Sequence, residues 1–526
     1  MAPEWIAAAV TDAAPVPWIS LEATLLVGGL ALLPKGRFSR RLAWAVSLSV
    51  VVVAAASFAD LVFQVSLGRS LNLSLDLYLL NAVYRLAIGN SGPVRTLVGA
   101  GLMLLLSAGT VLGLVRLMNV PAGTEEKPAP PTPPTRLLAT PVTRLGAGMI
   151  VASPLLGLAG LAQEAIGERF VTPSVSLLAD QAALFRTTRA ERVEFSAALN
   201  APPPAVVESP DLLSHLDGRN VVVTYIESYG MAALEDPDFA SVIRPRLEEA
   251  GARMEASGLG VVTGRLESPT LGGQSWYAHG SMISGLWLEN QLRYELMLSS
   301  DRETLVDDFE RAGYHTATVM PAITTAWPEA TRLGFDSVYT SQNIPYDGPP
   351  FYWVTMPDQF TWSFLGQVLG EASVPLFVEV GMVSSHAPWT PTLPLLDWDR
   401  MEGGAAFEPH RRDGYPPEEM WWDVEVLRQA YAESLDYSLR AMTEFAERFL
   451  DDRTLLIVSG DHQAAPWIIG TEEPHVPVHV IARDPDLLEP FVEWGFRRGA
   501  LPDPDVDPPR MDEFRAWFLR SFSGAR

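Results

Sequence analysis

The middle of the chain carries the sequence Gly272-Gly-Gln-Ser-Trp-Tyr-Ala-His-Gly-Ser-Met-Ile-Ser-Gly-Leu286. Ser275 follows two glycines and a glutamine, and the ten residues after it contain no proline, so a helix can begin at this serine. A hydroxyl at a helix N-terminus lies in positive potential beside free backbone N–H groups. Such a position suits a nucleophile for phosphoryl or sulfuryl transfer, although a serine after a glycine turn is also a common helix N-cap. Residues elsewhere in the chain must decide between these two interpretations.

The composition restricts the class of protein. The net charge of −25 argues against nucleic acid as a partner, because binding a phosphate backbone requires a basic surface. The 526 residues include no cysteine, which excludes disulfides, thiolate metal sites and a cysteine nucleophile. A mean hydropathy of +0.12 is high for this charge, so the apolar residues must be concentrated in part of the chain.

Four apolar segments predict an N-terminal bundle of about four transmembrane helices, since each approaches the roughly 20 residues that span a bilayer core. The segments are residues 18–33, 42–59, 96–115 and 145–161. The loop 35–41 is short and basic, and the loop between the third and fourth segments also carries Lys and Arg, so both should be cytoplasmic. Both termini would then lie outside, and we expect the protein in the plasma (inner) membrane.

Composition further divides the chain into three parts. Residues 1–163 are the predicted transmembrane region, with a proline-rich cytoplasmic linker at 119–143. Within it, residues 70–88 have intermediate polarity and fit a re-entrant helix, an interfacial helix or an ordered loop, of which the interfacial helix is slightly favoured. Residues 164–218 mix apolar and charged residues at helical spacing, which indicates a juxtamembrane helical connector. Residues 219–526 would form an extracytoplasmic, periplasmic domain.

The outer domain alternates β-rich apolar runs with amphipathic stretches, which predicts an α/β fold with a mostly parallel sheet between helices. The predicted strands are 221–226, 316–320, 375–380, 454–458 and 476–481, and the predicted helices are 245–257, 301–312, 429–451 and 511–521. In such sheets ligands bind just past the carboxyl ends of the strands.

Polar residues follow three of these strands at that end. Glu227 comes directly after the first strand, His386 follows the strand 375–380, and Asp461-His462 follows the strand 454–458. Each residue alone could be an ordinary edge or turn residue, but together they predict one shared site that Ser275 can join. His475 precedes the strand 476–481, so it reaches the same edge only if that strand is antiparallel.

The residue types at this edge predict chemistry. Glu227, Asp461 and His462 offer two carboxylates and an imidazole, which suit one divalent cation such as Mn²⁺, Zn²⁺ or Mg²⁺. Such a cation, with Ser275 as a further ligand, would lower the pKa of the serine hydroxyl and stabilise charge on the transferred group. His386 and His279 would bind substrate oxygens or protonate the leaving group.

With these residues in place, the chain resembles the alkaline phosphatase superfamily in its sulfatase-like branch. The likeness is nearest to membrane-anchored lipoteichoic-acid synthases and phosphoethanolamine transferases, in which a multi-span region precedes an extracytoplasmic domain. Their metal glutamate at the end of the first strand matches Glu227, in Val-Thr-Tyr-Ile-Glu-Ser-Tyr-Gly, and their nucleophile after a glycine-rich turn matches Ser275. Their Asp-His metal pair matches Asp461-His462.

Two further matches concern the substrate. The sulfatase pattern His-x-Pro-aromatic-x-Pro matches residues 386–391, and a later substrate histidine of these families matches His475. Five aromatic residues could stack on sugars or pack a lipid headgroup, or could equally belong to the core: Trp276, Tyr277, Trp287, Trp353 and Trp389. Of these, Trp276 and Trp389 are predicted to lie near the substrate. The resemblance covers residues 220–481.

The departures from the family pattern also carry information. Sulfatases that use formylglycine have Cys or Ser followed by x-Pro-x-Arg, whereas Ser275-Trp-Tyr-Ala-His279 lacks both the proline and the arginine. Unmodified serine and phosphoryl chemistry are therefore favoured over sulfuryl chemistry. The single Glu227 stands where soluble sulfatases have paired aspartates, which suggests one metal ion.

The sequence thus predicts a membrane-anchored, metal-dependent hydrolase or transferase that moves a phosphoryl-linked headgroup from a lipid donor through Ser275. The expected partners are the membrane and a lipid or lipid-linked anionic substrate. Three alternatives stay open: a sulfatase, a phosphatase, and a catalytically inactive domain that binds a glycan or partner protein. The oligomeric state is not indicated by the sequence.

Overall fold

The computed structural model describes residues 19–20, 36–118, 170–171, 173–414, 416, 420 and 423–524. The chain forms two compact units that divide near residue 190, with Val65–Gly68 grouped with the second unit. The linker 119–143 and the fourth predicted span lie outside the described residues. So does the first span apart from Ile19–Ser20, a short strand that pairs in parallel with Phe170–Val171. The predicted domain boundaries stay predictions.

The first unit contains two long apolar helices, α1 (Arg37–Leu67) and α2 (Leu79–Met118). Arg37–Leu67 and Gly92–Arg116 are each long and apolar enough to cross a membrane, and they contain the second and third predicted spans. Their side chains are largely exposed, for example Leu104 at 72%, as lipid-facing residues would be. The first part of α2 occupies much of the predicted interfacial segment 70–88, and Gly92, at φ 77°, separates it from the apolar part. Helix α3 (Pro173–Leu199) lies within the predicted connector.

The described residues of the second unit form an eight-stranded sheet in the order β8–β2–β7–β6–β1–β5–β3–β4. The strands are β1 (Asn220–Ile226), β2 (Gly260–Glu267), β3 (His315–Met320), β4 (Ser337–Thr340), β5 (Leu376–Gly381), β6 (Thr454–Gly460), β7 (His475–Ala482) and β8 (Arg497–Arg498). Strands β6, β1, β5, β3 and β4 are mutually parallel, whereas β7 is antiparallel to β6 and to β2. The predicted α/β fold with a mostly parallel sheet is confirmed.

Helices cover both faces of this sheet and bury two apolar cores against it. They are α4 (Ala232–Glu235), α5 (Pro237–Ala256), α6 (Ser275–Ser284), α7 (Gln291–Leu298), α8 (Leu305–Arg311), α9 (Pro328–Leu333), α10 (Asp358–Glu371), α11 (Val424–Phe449), α12 (Pro466–Ile469), α13 (Glu489–Glu493) and α14 (Phe514–Phe522). Helices α5, α10 and α11 contribute to one core, and α6, α8 and α14 to the other. This arrangement leaves the strand ends available for a site.

Local capping explains where the observed helices differ from the predicted ones. Helix α8 begins at Leu305 rather than at residue 301, because Thr304 and Asp307 form a capping box. Helix α5 begins at Pro237 after the N-cap Asp236, so Pro245 lies inside the helix and does not start it. The prediction also omitted β2, β4 and β8. Strands β4 and β8 are short, and β2 contains Gly264 and Arg265, which obscure its apolar alternation.

Candidate active site

Parallel pairing brings the two predicted metal carboxylates to one edge of the sheet. In the register of β1 and β6, Ile226 lies opposite Gly460, so Glu227 and Asp461 leave neighbouring strands at the same level. A Cβ at Gly460 would lie 1.8 Å from the carbonyl oxygen of Tyr229, so only glycine permits this close approach. Because β7 runs antiparallel to β6, its first residue, His475, begins at this edge as well.

Ser275 is the first residue of α6, after a turn of left-handed residues. Gly272 and Gln274 have φ values of 66° and 65°, and this turn directs the start of the helix towards the strand ends. The Oγ of Ser275 lies 3.2 Å from Oε2 of Glu227 and 3.2 Å from Nε2 of His462. The structure therefore brings the serine, one carboxylate and the imidazole together, as the sequence predicted for a nucleophile at this edge.

The geometry of these groups fits a divalent cation. Ligand atoms of Glu227, Asp461 and His462 all lie within 4.8 Å of one another. Nδ1 of His462 lies 2.7 Å from the carbonyl oxygen of Gln463, so Nδ1–H donates there and Nε2 faces the carboxylates. Two carboxylates and an oriented imidazole suit Mn²⁺ or Zn²⁺.

Burial and neighbouring charges shift the pKa values of Glu227, Asp461 and His462. Burial raises the pKa of Asp461 to about 7, and the negative charge of Glu227 adds to the effect. For Glu227 burial also acts to raise the pKa, but the positive charges of His462 and His386 outweigh it and the pKa is lowered. Burial lowers the pKa of His462, yet the charges of Asp461 and Glu227 raise it overall. The pKa values of these two neighbouring carboxylates thus shift in opposite directions. A cation bound between them would offset the repulsion between their negative charges.

Ser228, directly after Glu227, adopts a left-handed conformation with φ 57°. For a residue other than glycine this conformation costs about 1 kcal/mol or more and is typical of functional sites. Its N–H donates to Oδ1 of Asp461 at 2.8 Å, and its Oγ donates to Oε1 of Glu227 at 2.9 Å. The sequence analysis did not select Ser228, because a left-handed turn at serine leaves no pattern in the sequence.

The loop after β5 brings His386 towards the site. Ser385 Oγ donates to the carbonyl oxygen of Glu227 at 2.6 Å, and this places the neighbouring His386 near Glu227. Nδ1 of His386 lies 2.6 Å from the carbonyl oxygen of Ala387, and donation there leaves Nε2 for a substrate. Trp353, one of the aromatic candidates but not one of the two predicted to lie near the substrate, is half-buried, with its ring centroid 6.4 Å from that of His386.

His279 lies one turn into α6 and stacks on Tyr225, with ring centroids 3.8 Å apart. Burial lowers its pKa to about 3, so the imidazole is neutral near pH 7. Its Nε2 is buried and has no hydrogen-bond partner among the described residues. A neutral histidine of this kind can hydrogen-bond to a substrate oxygen, but it is a poor general acid.

The three predicted substrate residues occupy different environments. Trp276 follows Ser275 and is half-buried, with Nε1 3.3 Å from Oε1 of Gln291. His475 is partly exposed at the shared edge, 3.8 Å from Glu473. Trp389 is only 3% exposed and its Nε1–H donates to the carbonyl of Ser385, so its ring is part of the core. The sequence analysis placed Trp389 near the substrate, and this stays a prediction, but its buried ring offers little surface for direct contact with a ligand.

The fold and the site define a class: an α/β domain with a serine, two carboxylates and an imidazole at the carboxyl edge of a mostly parallel sheet. Residues 245–492 match the sulfatase family model. This part of the chain matches the sulfatase family, and the predicted resemblance to the sulfatase-like branch of the alkaline phosphatase superfamily is confirmed. The match includes Ser275, His386 and Asp461-His462, whereas Glu227 precedes it. No curated protein matches the chain.

Solved structures with some likeness include three phosphoryl transferases. The lipoteichoic acid synthase LtaP from Listeria monocytogenes is 12% identical, with a TM-score of 0.35, over 55% of this chain and 71% of that one. The phosphoglycerol transferase GacH from Streptococcus pyogenes, in complex with sn-glycerol-1-phosphate, is 13% identical, with a TM-score of 0.35, over 56% and 74%. The periplasmic domain of the phosphoethanolamine transferase EptC from Campylobacter jejuni is 12% identical, with a TM-score of 0.36, over 56% and 86%. With scores of this size, no conclusion about this chain rests on these likenesses.

Proposed function

We propose that this protein is a membrane-anchored, metal-dependent enzyme that transfers a phosphoryl-linked headgroup from a lipid donor through a covalent intermediate on Ser275. The observation that carries the proposal is the position of the Ser275 hydroxyl, 3.2 Å from both a carboxylate oxygen and an imidazole nitrogen at the start of a helix. A hydroxyl that only caps a helix does not need these two neighbours. Here both neighbours lie close enough to orient it.

Glu227, Ser275, Asp461 and His462 would hold one divalent cation, as their mutual distances allow. When bound, such a cation lowers the pKa of a coordinated hydroxyl and stabilises negative charge on phosphoryl oxygens. The backbone N–H groups at the start of α6 add positive potential at the same place. An overall acidic protein can in this way accept an anionic group locally.

The reaction would proceed in two displacements. In the first, the Ser275 hydroxyl loses its proton to solvent and Oγ forms a bond to phosphorus, while the phosphorus–oxygen bond to the lipid alcohol breaks and the alcohol leaves with a proton from His386. In the second, a hydroxyl of a glycan, a lipid or water forms the new bond to phosphorus, and the Oγ–phosphorus bond breaks. His386 would supply and recover the proton through Nε2, because its Nδ1 is engaged by a backbone carbonyl.

The remaining histidines would bind the transferred group. His279, neutral because burial lowers its pKa to about 3, would hydrogen-bond to a phosphoryl oxygen. His475, partly exposed at the same edge, and Trp276, next to the nucleophile, would contact the substrate. Trp353 beside His386 takes the place that the sequence analysis assigned to Trp389.

The two apolar helices support a lipid as the donor substrate. Arg37–Leu67 and Gly92–Arg116 would anchor the protein in the plasma (inner) membrane, and the catalytic domain would lie on the outer, periplasmic side. Anchoring raises the local concentration of a lipid donor near the site. A reporter fused after Ser209 tests this topology, because activity of a cytoplasm-only reporter would contradict it.

Sulfate ester hydrolysis is the second candidate, because the matching family model is that of sulfatases. Ser275 lacks the following proline and arginine that accompany conversion to formylglycine, which favours the unmodified serine. The two candidates predict different chemical states of residue 275, so one experiment separates them.

That experiment is peptide mass spectrometry of the full-length protein, purified from its own membranes with Mn²⁺, with a His386→Ala variant included to slow turnover. We expect a phosphate-bearing adduct on Ser275, whose mass identifies the headgroup, and none on the buried Ser281 of the same helix. Ser275→Ala should abolish the adduct. Formylglycine at residue 275 would assign sulfatase chemistry, and an unmodified serine in every preparation would favour the inactive binding domain.

A further inference from the structure

Two consecutive backbone carbonyls at the metal edge each accept a hydrogen bond from a side chain that is distant in sequence. Ser385 Oγ donates to the carbonyl of Glu227 at 2.6 Å, and the hydroxyl of Tyr431 donates to the carbonyl of Ser228 at 2.8 Å. Tyr431 belongs to α11, 203 residues further along the chain. Neither donor is among the proposed metal ligands, so both act on the backbone that carries Glu227.

Trp389 joins these two donors. Its Nε1–H donates to the carbonyl of Ser385 at 2.8 Å, and its ring meets the ring of Tyr431 edge-on, with centroids 5.3 Å apart. Phe239 contacts the Tyr431 ring at 5.1 Å from another side. All four side chains are buried, and aromatic rings fixed in this way have little freedom to move. We call Ser385, Trp389 and Tyr431 the bracket.

The bracket acts where the backbone is strained. Ser228 has φ 57°, and this turn sends its N–H to Asp461 and its Oγ to Glu227. If the two carbonyls were released, the turn could relax to an ordinary conformation and move the Glu227 carboxylate. Burial raises the pKa of Tyr431, so its hydroxyl keeps its proton and remains a donor.

We propose that Tyr431, with Ser385 and Trp389, is a positioning residue that holds the left-handed turn at Ser228 and so sets the position of Glu227 in the metal centre. The proposal rests on the metal centre of the proposed function. It explains why Trp389, inside a motif that suggests substrate contact, is buried: the indole links the His386 loop to α11. Groups that orient metal ligands from behind commonly change metal affinity 10- to 100-fold when they are removed.

The test measures Mn²⁺ affinity on the full-length protein in detergent, from the electron paramagnetic resonance signal of free Mn²⁺. Tyr431→Phe removes one hydroxyl and keeps the ring, and we expect a dissociation constant about 10-fold higher or more. Tyr437→Phe is the matched control, because Tyr437 is also buried on α11 and its hydroxyl accepts a long 3.4 Å bond from Gln359. We expect this control to bind Mn²⁺ within about twofold of the wild type.

Ser385→Ala provides a second variant that acts on the neighbouring carbonyl. We expect a similar loss of Mn²⁺ affinity in this variant. In the double variant with Tyr431→Phe, the dissociation constant should rise by less than the product of the two single increases, because both substitutions release the same turn. Thermal unfolding of Tyr431→Phe should resemble that of Tyr437→Phe, which separates positioning from general stability.

Each outcome bears on a different statement. Equal Mn²⁺ affinity in Tyr431→Phe and Tyr437→Phe would overturn the bracket alone. Binding of Mn²⁺ with the expected losses, but without any adduct on Ser275, would support the bracket and contradict the proposed transfer reaction. A wild-type protein that binds no Mn²⁺ would overturn both the metal centre and the bracket's role.

Discussion

Replacing Glu379 with glutamine is expected to stabilise the outer domain at neutral and alkaline pH. Glu379 lies in the middle of β5, opposite Val223 of β1 and Thr318 of β3, and is 1% exposed. Its Oε1 is buried and has no hydrogen-bond partner among the described residues. Burial therefore raises its pKa from 4.5 to about 8. Glutamine has nearly the same shape and cannot ionise.

The size of the effect follows from this pKa. A group with a raised folded-state pKa contributes stability that is complete below pH 4.5 and is lost as the pH rises through about 8. At about 1.4 kcal/mol per pH unit, the loss is about 2 kcal/mol at pH 6 and approaches about 5 kcal/mol above pH 9. The stability advantage of Glu379→Gln should thus grow by about 3 kcal/mol between these two pH values.

The absence of cysteine from the chain allows a local assay in the full-length protein. Val378→Cys places one thiol at a fully buried position of β5, and the rate of its labelling reports the free energy of opening the sheet. Labelling rates at each pH are divided by those of an unstructured peptide thiol. Glu472→Gln, at an exposed position, controls for the loss of one negative charge. A difference between Glu379→Gln and the wild type that does not change with pH would refute the reasoning.

Three further predictions concern the buried ion pair between Asp308 and Arg515, the close contact of Gly460 with the Tyr229 carbonyl, and the roles of Trp389 and Trp353. Asp308→Asn should lower the free energy of unfolding by about 3–5 kcal/mol in denaturant, because it leaves the charge of the buried Arg515 without its carboxylate partner. As a control, Glu489→Gln breaks the exposed pair with Arg498 and should cost at most about 1 kcal/mol. Equal costs for the two variants would contradict this account. Gly460→Ala should weaken Mn²⁺ binding more than 10-fold, because its Cβ would collide with the carbonyl of Tyr229; Gly370→Ala, which meets no atom within 4 Å, should bind normally. Trp389→Ala should lower the free energy of unfolding by about 3–5 kcal/mol, because its ring is buried. Trp353→Ala should mainly slow formation of the Ser275 adduct at low concentrations of the lipid donor, because its ring lies beside His386. The reverse pattern would show that the two tryptophans have been assigned the wrong roles.

Several parts of the fold and site were predictable because they depend on local pattern. Apolar runs marked β1, β3, β5, β6 and β7, and the rule for parallel sheets placed the residues after β1 and β6 at one edge. The grouping of Glu227 with Asp461 could be predicted because the strands that precede them pair directly. His462 follows Asp461 in the sequence, so it joins the same group. Ser275 was identifiable from its glycine turn and its place at a helix start.

Other parts depend on contacts between residues far apart in the chain. The antiparallel direction of β7, which brings His475 to the metal edge, is set by pairing with β6 and β2 rather than by its own sequence. The edge strand β8 has only two residues and no pattern of its own. Tyr431 lies on an amphipathic helix where nothing distinguishes it from other buried aromatic residues.

The sequence alone thus determined the α/β alternation, the edge at which the candidate metal ligands meet, and the residue types of the candidate site, because each follows from patterns within a few residues. Only the tertiary structure decided which aromatic side chain is buried and which lies beside His386. Trp389 follows His386 by three residues, yet packing against Tyr431 buries it, whereas Trp353 comes from a distant loop and lies beside His386. Burial is settled by what packs against a side chain, and that depends on the whole fold.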